Sequence, residues 1–334
     1  MSNINVFLQK VFQSLNSSIS VPLGVIAYEL VKCAKAHSYV ETLGNHSDTL
    51  HSWVKRVYDV DFKRAFEIVV NKALKRLNCN YARLAVDITA EPFYGRSTSL
   101  FLFNVDGSKK WNAEFRFIVV SLITRDKQIP LMARPVMVGE GVAKPTIEML
   151  EYCQSKFKRI RFATFDRGFY CAELIDYLEA NRIKYLMLVP ERDGVLKEYI
   201  AQTSEFGIFR HEMKYSKEKS TYKPKTNIVV CKGIDEFSWL FATNIKFKTR
   251  CECIWWYKRR WQIETNFRVE DEARIKSKST IHIIRFFYFL ISLLLHVLWI
   301  VHKNIHENIQ FKKYVDMVEM LLFQEFLGVE YIPT

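Results

Sequence analysis

A strand, a helix and a second strand follow one another in residues 160–189, which read IRFATFDRGFYCAELIDYLEANRIKYLMLV. Residues 160–166 and 184–189 are short runs rich in apolar side chains, which is typical of buried strands. Residues 171–181 between them are long enough and apolar enough for a helix. Asp166 stands at the end of the first of these strands. The unit predicts a sheet with helices packed on its faces.

Three further strands are predicted before this unit. Residues 83–89, 115–124 and 129–138 are rich in Val, Ile and Leu. A helix opens near Pro145 and runs through Tyr152, since proline is favoured in the first turn of a helix. The order is therefore three strands, a helix, a strand, a helix and a strand. Such an order predicts an α/β fold with a mixed sheet flanked by helices.

The chain divides into a core and three further parts. Residues 79–190 form the first part of the predicted α/β core. Residues 1–78 carry apolar side chains at helical spacing and predict a small helical domain, which is a candidate for DNA binding. Residues 191–245 are basic and predict a β-rich insertion, because they interrupt the alternation of strands and helices. Residues 246–334 predict the C-terminal helical part of the core.

One apolar stretch, residues 286–301, has to be tested as a membrane segment. It runs for 16 residues without a charge, whereas a spanning helix needs about 20 apolar residues. We interpret it as a buried core helix. The first ten residues lack a basic region followed by an apolar one, so we expect no secretory signal.

Positive charge is concentrated in two stretches. The chain has 49 Lys and Arg against 36 Asp and Glu, a net charge of +13. Residues 210–232 hold seven basic residues against two acids, and residues 246–279 hold ten against five. Clustered positive charge favours a polyanionic partner such as DNA. The predicted DNA contacts of the first stretch are Lys217, Lys219, Lys223 and Lys225.

Cysteine usage argues against a metal or disulfide scaffold. The seven cysteines are odd in number and contain no pair of CxxC motifs. Free thiols in a reducing cytosol therefore fit the sequence best.

Two aspartates are candidates for a common site. Asp87 follows the apolar residues 84–86, and Asp166 ends the strand in residues 160–166, so each is predicted at the carboxyl end of a strand. If the two strands are neighbours, the carboxylates converge at one edge of the sheet. Oxygen ligands of this kind suit hard divalent cations. Taken singly, an Asp at a strand end is also typical of a turn.

A third acid, Glu264, lies in a predicted helix. At about 100° per residue, Tyr257, Arg260 and Arg268 fall on the same helical face as Glu264. Such a face suits a phosphodiester, because the carboxylate binds metal, arginine binds phosphate, and the tyrosine donates a hydrogen bond or stacks. The alternative is a solvated face in which Arg260 and Glu264 form an ion pair worth about a few tenths of a kcal/mol.

These residues resemble the motifs of the DDE transposases of bacterial and archaeal insertion sequences. Asp87 in AVDITAEPFYG is similar to the first acid and its loop, and Asp166 in DRGFY is similar to the second. Tyr257, Arg260 and Glu264 match the Tyr-x2-Arg-x3-Glu spacing around the third acid.

The resemblance covers about residues 80–302 and departs from the family at one position. The family motif continues to a Lys, and that position is Asp271 here. Arg274, Lys276 and Lys278 are the candidates to replace it.

The family implies a ribonuclease-H-like fold with a β-rich insertion between the second and third acids. It implies two Mg²⁺ ions held by the three acids, with Mn²⁺ able to replace Mg²⁺. It also implies hydrolysis of DNA at the ends of the element, followed by attack of the freed 3′-hydroxyl on target DNA. The implied partners are the terminal inverted repeats and target DNA, also contacted by Arg167, Lys276 and Lys278. A homodimer in the DNA complex and a cytoplasmic, nucleoid-associated location complete this expectation.

Two alternatives use the same residues. One is a nuclease of the same fold that hydrolyses DNA without joining strands. The other is a catalytically decayed relative that only binds DNA, against which the three intact acids argue.

Overall fold

A computed structural model gives the positions of most of the chain. It describes residues 3–13, 21–43, 45–77, 79–95, 98–105, 107, 110–124, 128–191, 194–213, 223–234, 237–259, 272–305 and 309–327. The described strands are β1 (Tyr81–Phe93), β2 (Leu102–Asn104), β3 (Ala113–Ile123), β4 (Gln128–Pro135), β5 (Arg159–Phe165), β6 (Tyr185–Leu188), β7 (Phe206–Glu212), β8 (Lys225–Ile234) and β9 (Phe237–Thr243). The described helices are α1 (Asn3–Val11), α2 (Leu23–Lys35), α3 (Asn45–Val54), α4 (Asp59–Leu77), α5 (Ala143–Lys156), α6 (Ala172–Ala180), α7 (Gly194–Gln202), α8 (Arg250–Lys258), α9 (His282–Ile305) and α10 (Phe311–Leu327).

All the described strands join one mixed sheet. Its order is β2-β3-β1-β5-β6-β9-β8-β7, and β4 also pairs with β3. β1 is parallel to β5 and β5 is parallel to β6, while the other pairings are antiparallel. Helices lie against the faces of this sheet. The predicted mixed sheet flanked by helices, with a ribonuclease-H-like order of strands, is confirmed.

The central strand β1 is longer than the sequence predicted. Expected over residues 83–89, it runs from Tyr81 to Phe93, because β3 continues to pair with it up to Phe93. Its pairing with β5 ends earlier, at Val86 opposite Phe165. Among the described strands, β1 is paired with β3 only beyond Val86, and its other edge has no strand neighbour. The candidate site described below lies where β1 and β5 separate.

The apolar stretch 286–301 lies inside α9, which forms the centre of the hydrophobic core. The helix is long and apolar enough to cross a membrane by those two measures, but 94% of its most apolar window is buried within the protein. The rings of Phe286 and Phe289 stack on Phe117 of β3. It is the core helix that the sequence predicted, and not a membrane span.

The amino-terminal helices share the core of the sheet. The rings of Phe7, Phe12 and Phe62 lie 5.6–6.2 Å from the ring of Phe287 in α9. Their side chains belong to the same buried cluster as those of β1 and β3. The described part of residues 1–78 consists mostly of the helices α1–α4, as predicted. Buried aromatic side chains of this part pack against α9.

The block predicted as an insertion continues the sheet. β9 pairs with β6, and β8 and β7 follow outward from it. This block also contains the helix α7, which the sequence pattern did not predict. The division of the chain into domains at residues 78, 190 and 245 stays a prediction, to which the structure adds that β7–β9 and the core form one sheet.

Candidate active site

Asp87 and Asp166 occupy neighbouring positions on two parallel strands. Each directly follows a member of the last β1–β5 pair, which joins Val86 to Phe165. Neighbouring strands in a sheet lie about 4.8 Å apart. The two aspartates are thus brought together at one place, as the sequence analysis expected if the strands were neighbours.

The local setting of Asp87 differs from the prediction. It was expected at the end of a strand, but it lies in the middle of β1, opposite Val119 of β3. Its side chain is only 8% exposed, and the backbone N–H of Ile88 donates to its Oδ1 at 2.8 Å. β1 continues past Asp87 because its pairing with β3 extends to Phe93, whereas its pairing with β5 already ends at Val86.

Asp166 ends β5 and begins a single helical turn, Arg167–Phe169. Its backbone is extended, with φ −78° and ψ 169°, and its carbonyl accepts from the N–H of Phe169 at 3.0 Å. The chain therefore turns away from the sheet directly after Asp166. Its partly buried carboxylate stays beside β1.

The hydroxyl of Tyr257 reaches Asp166 from α8. It donates to Oδ1 of Asp166 at 3.3 Å. The tyrosine ring is 1% exposed and packs against Trp239 and Phe241 of β9 at centroid distances of 6.0 and 4.9 Å. Tyr257 was predicted to donate a hydrogen bond to DNA or to stack on it, and its burial against β9 leaves the ring no open face for stacking. The ring is covered, and its hydroxyl is directed at an acid.

The remaining residues of the third motif lie outside the described residues. These are Arg260, Glu264 and Arg268, in the segment between Arg259 and Glu272. That segment links α8, which contacts Asp166, to α9. The roles of the three residues stay predictions.

A cavity of about 830 Å³ opens beside Asp166. Arg167 and Gly168 line one wall, and Glu191 and Trp239 line the others. The side chain of Arg167 is exposed. A cation is thus available next to the acids, and its contact with DNA stays a prediction.

Lys276 and Lys278 lie on the other side of the acids. Both side chains are exposed and line a cavity of about 550 Å³ together with Arg274 and Tyr94. Their ammonium groups lie 6.0 and 5.6 Å from the centre of the Tyr39 ring. Arg274, Lys276 and Lys278, the three candidates to replace the motif Lys, therefore line the same cavity.

The predicted cations of the 210–232 stretch lie farther away. Lys217 and Lys219 lie outside the described residues, and Lys223 is exposed. Lys225 forms an exposed ion pair with Glu212 at 3.0 Å. Ile228 of β8 lies level with Phe165 of β5 across the sheet, and Lys225 comes three residues before Ile228. Because β8 and β5 run in the same direction, Lys225 lies toward the amino-terminal end of β5, away from the acids.

A buried ion pair that the sequence did not predict lies on the same strand as Asp87. Glu91 and Arg285 of α9 are joined by an Nη1–Oε1 contact of 2.6 Å. Burial raises the pKa of the Glu91 carboxyl, and the guanidiniums of Arg285 and Arg274 partly offset this rise. The alternation of Asp87, Thr89 and Glu91 in an apolar strand was the signal that could have revealed it.

The sheet and the two neighbouring acids are features of a known class of protein. A ribonuclease-H-like sheet with two carboxylates on adjacent central strands is typical of enzymes that cut phosphodiesters with divalent metal ions. Among the described residues, no cluster of three metal-binding side chains occurs.

Comparisons with known proteins find similarity to transposases. Residues 142–299 match the family model described as the transposase DDE domain. A cryo-EM structure of the piggyBac transposase synaptic complex with hairpin DNA is similar over 98% of this chain and 79% of that chain. Its TM-score is 0.60 at 13% sequence identity, so this likeness concerns the fold. No curated protein has a significantly similar sequence.

Residues 142–299 are thus similar to the DDE domain of transposases, and the fold of the chain is similar to that of a solved transposase. The matched stretch contains Asp166 and Tyr257, whereas Asp87 lies before it.

Proposed function

We propose that this protein hydrolyses DNA at the ends of a mobile element and joins the freed ends to target DNA. Asp87, Asp166 and Glu264 are the proposed ligands of two Mg²⁺ ions. The observation that carries the proposal is the placement of Asp87 and Asp166 side by side where β1 and β5 part. Two carboxylates at that point supply only oxygen ligands, which is the donor set that Mg²⁺ prefers.

Bound divalent cations would supply Lewis-acid stabilisation of the entering and leaving oxygens of an in-line displacement. In the hydrolytic step, a water oxygen forms the new bond to phosphorus and the 3′-oxygen of the strand leaves. In the joining step, the freed 3′-hydroxyl takes the place of the water and a 3′-oxygen of the target leaves. One site can therefore serve both steps.

The side chains of the protein hold the acids and the DNA in place. The hydroxyl of Tyr257 orients the carboxylate of Asp166, and the backbone N–H of Ile88 orients that of Asp87. Arg167 on one side and Lys276 on the other offer cations for the phosphates that flank the scissile bond. Fixed groups of this kind raise the rate because little reorganisation is needed during the reaction.

The proposed partners are terminal inverted repeats and target DNA. A transposase that synapses two ends needs two active sites, so we propose a homodimer in the DNA complex, in the cytoplasm. The piggyBac structure to which the chain is similar is a synaptic complex with DNA, which supports a DNA-bound assembly.

The test begins with the DNA that flanks the gene. Short inverted repeats in that DNA would supply the substrate, which is then incubated with the protein, Mg²⁺ and a target plasmid. Cleavage at the repeat ends together with joined product is the expected result. Cleavage without joining would favour the nuclease alternative, and binding without cleavage would favour the decayed relative.

A further inference from the structure

Arginine and aromatic side chains alternate on the sheet face that carries the acids. We name this set the arginine–aromatic ladder. Its members are Tyr81 and Arg83 of β1, Arg161 of β5, and Trp255, Trp256 and Arg259 at the end of α8.

The guanidiniums of the ladder lie over the aromatic rings. The guanidinium carbon of Arg161 is 4.0 Å from the centre of the Tyr81 ring. That of Arg83 is 5.5 Å from the Trp256 ring. Arg259 lies 4.4 Å from the Trp255 ring and 5.8 Å from the Trp256 ring. Cation–π contacts at such distances fix planar cations and planar rings in one continuous surface.

A β-bulge brings Arg161 into this surface. The register of β1 and β5 shifts between Ala82 and Arg83, so that Arg161 is the extra residue of β5. Bulges re-aim a side chain in this way. Tyr81 and Arg83 are two residues apart in β1 and therefore point to the same face.

The two tryptophans of α8 have different roles. Trp256 packs edge-on against Phe162 of β5 at 5.2 Å and attaches the helix to the sheet. Trp255 remains 55% exposed, with its ring nearly perpendicular to that of Trp256. Tyr81 is also 48% exposed. The ladder thus offers two open aromatic rings at its ends.

The positive charge of the ladder is not neutralised within the described part of the chain. Arg83, Arg161 and Arg259 form no ion pair with a described carboxylate. Open rings beside guanidiniums that have no carboxylate partner among the described residues are the chemistry that binds bases and phosphates together.

The ladder is close to the acids along the chain. Arg83 precedes Asp87 by four residues on the same face of β1, a distance of about 13 Å at 3.3 Å per residue. Trp256 directly precedes Tyr257, whose hydroxyl contacts Asp166. A strand leaving the acids along β1 therefore meets the ladder within a few nucleotides.

We propose that the ladder binds single-stranded DNA next to the acids. Bases in a duplex are stacked on each other and have no open face, whereas an unpaired base can stack on Trp255 or Tyr81. The guanidiniums bind the phosphates between such bases. The inference rests on the proposed function, because hydrolysis at an element end produces a strand that can separate from its partner.

The test measures binding without cleavage. The full chain, in EDTA, is titrated with a fluorescent single-stranded oligonucleotide and with a duplex of the same length. Trp255→Leu removes the aromatic face and Trp255→Phe retains it, so the two substitutions form a matched pair. Arg161→Gln and Arg161→Lys test the cation. Thermal unfolding of each variant shows that it is folded.

Trp255→Leu and Arg161→Gln should each weaken single-strand binding by about fivefold or more, with a smaller effect on the duplex. Trp255→Phe should stay within about threefold of wild type. Unchanged single-strand affinity in both Trp255→Leu and Arg161→Gln would overturn the inference, as would an equal loss on the duplex. If the wild type bound neither form of DNA, the proposed function itself would fail, so the two failures are distinguishable.

Discussion

Two buried acids on one strand have opposite surroundings. Asp87 and Glu91 are four residues apart in β1, point to the same face, and are each 8% exposed. Glu91 contacts the guanidinium of Arg285 at 2.6 Å. Asp87 instead lies beside a second acid, Asp166. The fold therefore gives Glu91 a cation from α9 and places Asp87 next to a second carboxylate.

The difference separates an acid in a structural ion pair from an acid that we propose to bind the catalytic cation. A buried ion pair holds α9 on β1, although burial still raises the pKa of Glu91. Two neighbouring carboxylates repel each other unless a proton or a cation lies between them. Two carboxylates where strands part can bind a divalent cation, which is the use that we propose for Asp87 and Asp166.

The largest expected effect is on cleavage. Asp87→Asn, Asp166→Asn or Glu264→Gln should each lower the rate of Mg²⁺-dependent cleavage by about 1,000-fold or more, because metal stabilisation of the transition state is worth several kcal/mol. DNA binding should stay largely intact, since affinity comes mainly from phosphate contacts. Single-turnover cleavage of pre-bound DNA measures the rate, and a shift in gel mobility measures binding.

The same variants sharpen the comparison with Glu91. Without metal, Asp87→Asn should lower the unfolding temperature less than Glu91→Gln does, because Glu91→Gln leaves the buried Arg285 without its carboxylate. Wild-type cleavage rates in any one of the three variants would remove that acid from the site.

The next effect is on stability. Glu91→Gln leaves Arg285 buried without its carboxylate and should lower the free energy of unfolding by about 3–5 kcal/mol. Urea unfolding measures it. Glu148→Gln is the matched control, because Glu148 pairs with Arg134 at a half-exposed position, and exposed pairs contribute about 1 kcal/mol or less.

The double variant Glu91→Leu/Arg285→Met should recover much of this loss, since an apolar replacement of a whole buried ion pair is often tolerated. A loss below about 1 kcal/mol in Glu91→Gln alone would contradict the structural role of the pair.

A third buried group, His296, shows what burial does without a partner. Neither ring nitrogen has a hydrogen-bond partner within the described structure, and burial lowers the pKa of His296 to about 4. Because the pKa of His296 is lower in the folded state than in the unfolded chain, the neutral ring is compatible with the fold above about pH 6.5. The protein loses stability as the pH falls below that value, since the unfolded chain then binds the proton more readily. The free energy of unfolding should therefore drop by about 2 kcal/mol between pH 7.5 and pH 5 from this residue alone.

Replacement of the imidazole by a phenyl ring tests this. His296→Phe should fit between Trp299 and Phe311, whose rings lie 5.7 and 6.0 Å away. Its free energy of unfolding should depend less on pH by the same amount. Parallel pH curves for wild type and variant would show that His296 is not titrating in this range.

The sequence predicted β5 more accurately than β1, and these two strands carry the candidate acids. The end of β5 was predicted at Asp166, and the strand ends one residue earlier, at Phe165. The end of β1 was predicted at Thr89, whereas its pairing with β3 continues to Phe93. The contact that buries Glu91 comes from Arg285, which is 194 positions away in the chain. Local patterns cannot contain such a contact.

The surroundings of α8 also depend on residues far away in the chain, which local sequence patterns cannot show. Helical periodicity placed Tyr257 on a face with charged residues, which suggested exposure. The rings of Trp239 and Phe241, from a strand that looked like part of a separate insertion, cover it instead. Because β9 pairs with β6 in the main sheet, the presumed insertion supplies a wall of the site.

The smallest expected effect concerns the hydrogen bond between Tyr257 and Asp166. Tyr257→Phe keeps the packing against β9 and removes the donor, so cleavage should slow by about tenfold. Tyr185→Phe is the control, since the hydroxyl of Tyr185 is also buried and bonds Thr226 at 2.8 Å, away from the acids. Equal cleavage rates for wild type and Tyr257→Phe, from single-turnover measurements, would mean that Asp166 needs no orientation by this hydroxyl.

The most direct test of the central claim exchanges the ligand atom at Asp166. Asp166→Cys replaces an oxygen ligand by sulfur, which binds Mg²⁺ poorly and softer divalent ions better. If Asp166 binds the catalytic cation, the variant is inactive in Mg²⁺ and recovers cleavage by about tenfold or more in Mn²⁺, relative to wild type in the same two metals. A cleavage rate for Asp166→Cys that is close to wild type in Mg²⁺, or a loss that is the same in Mg²⁺ and Mn²⁺, would contradict metal binding by Asp166.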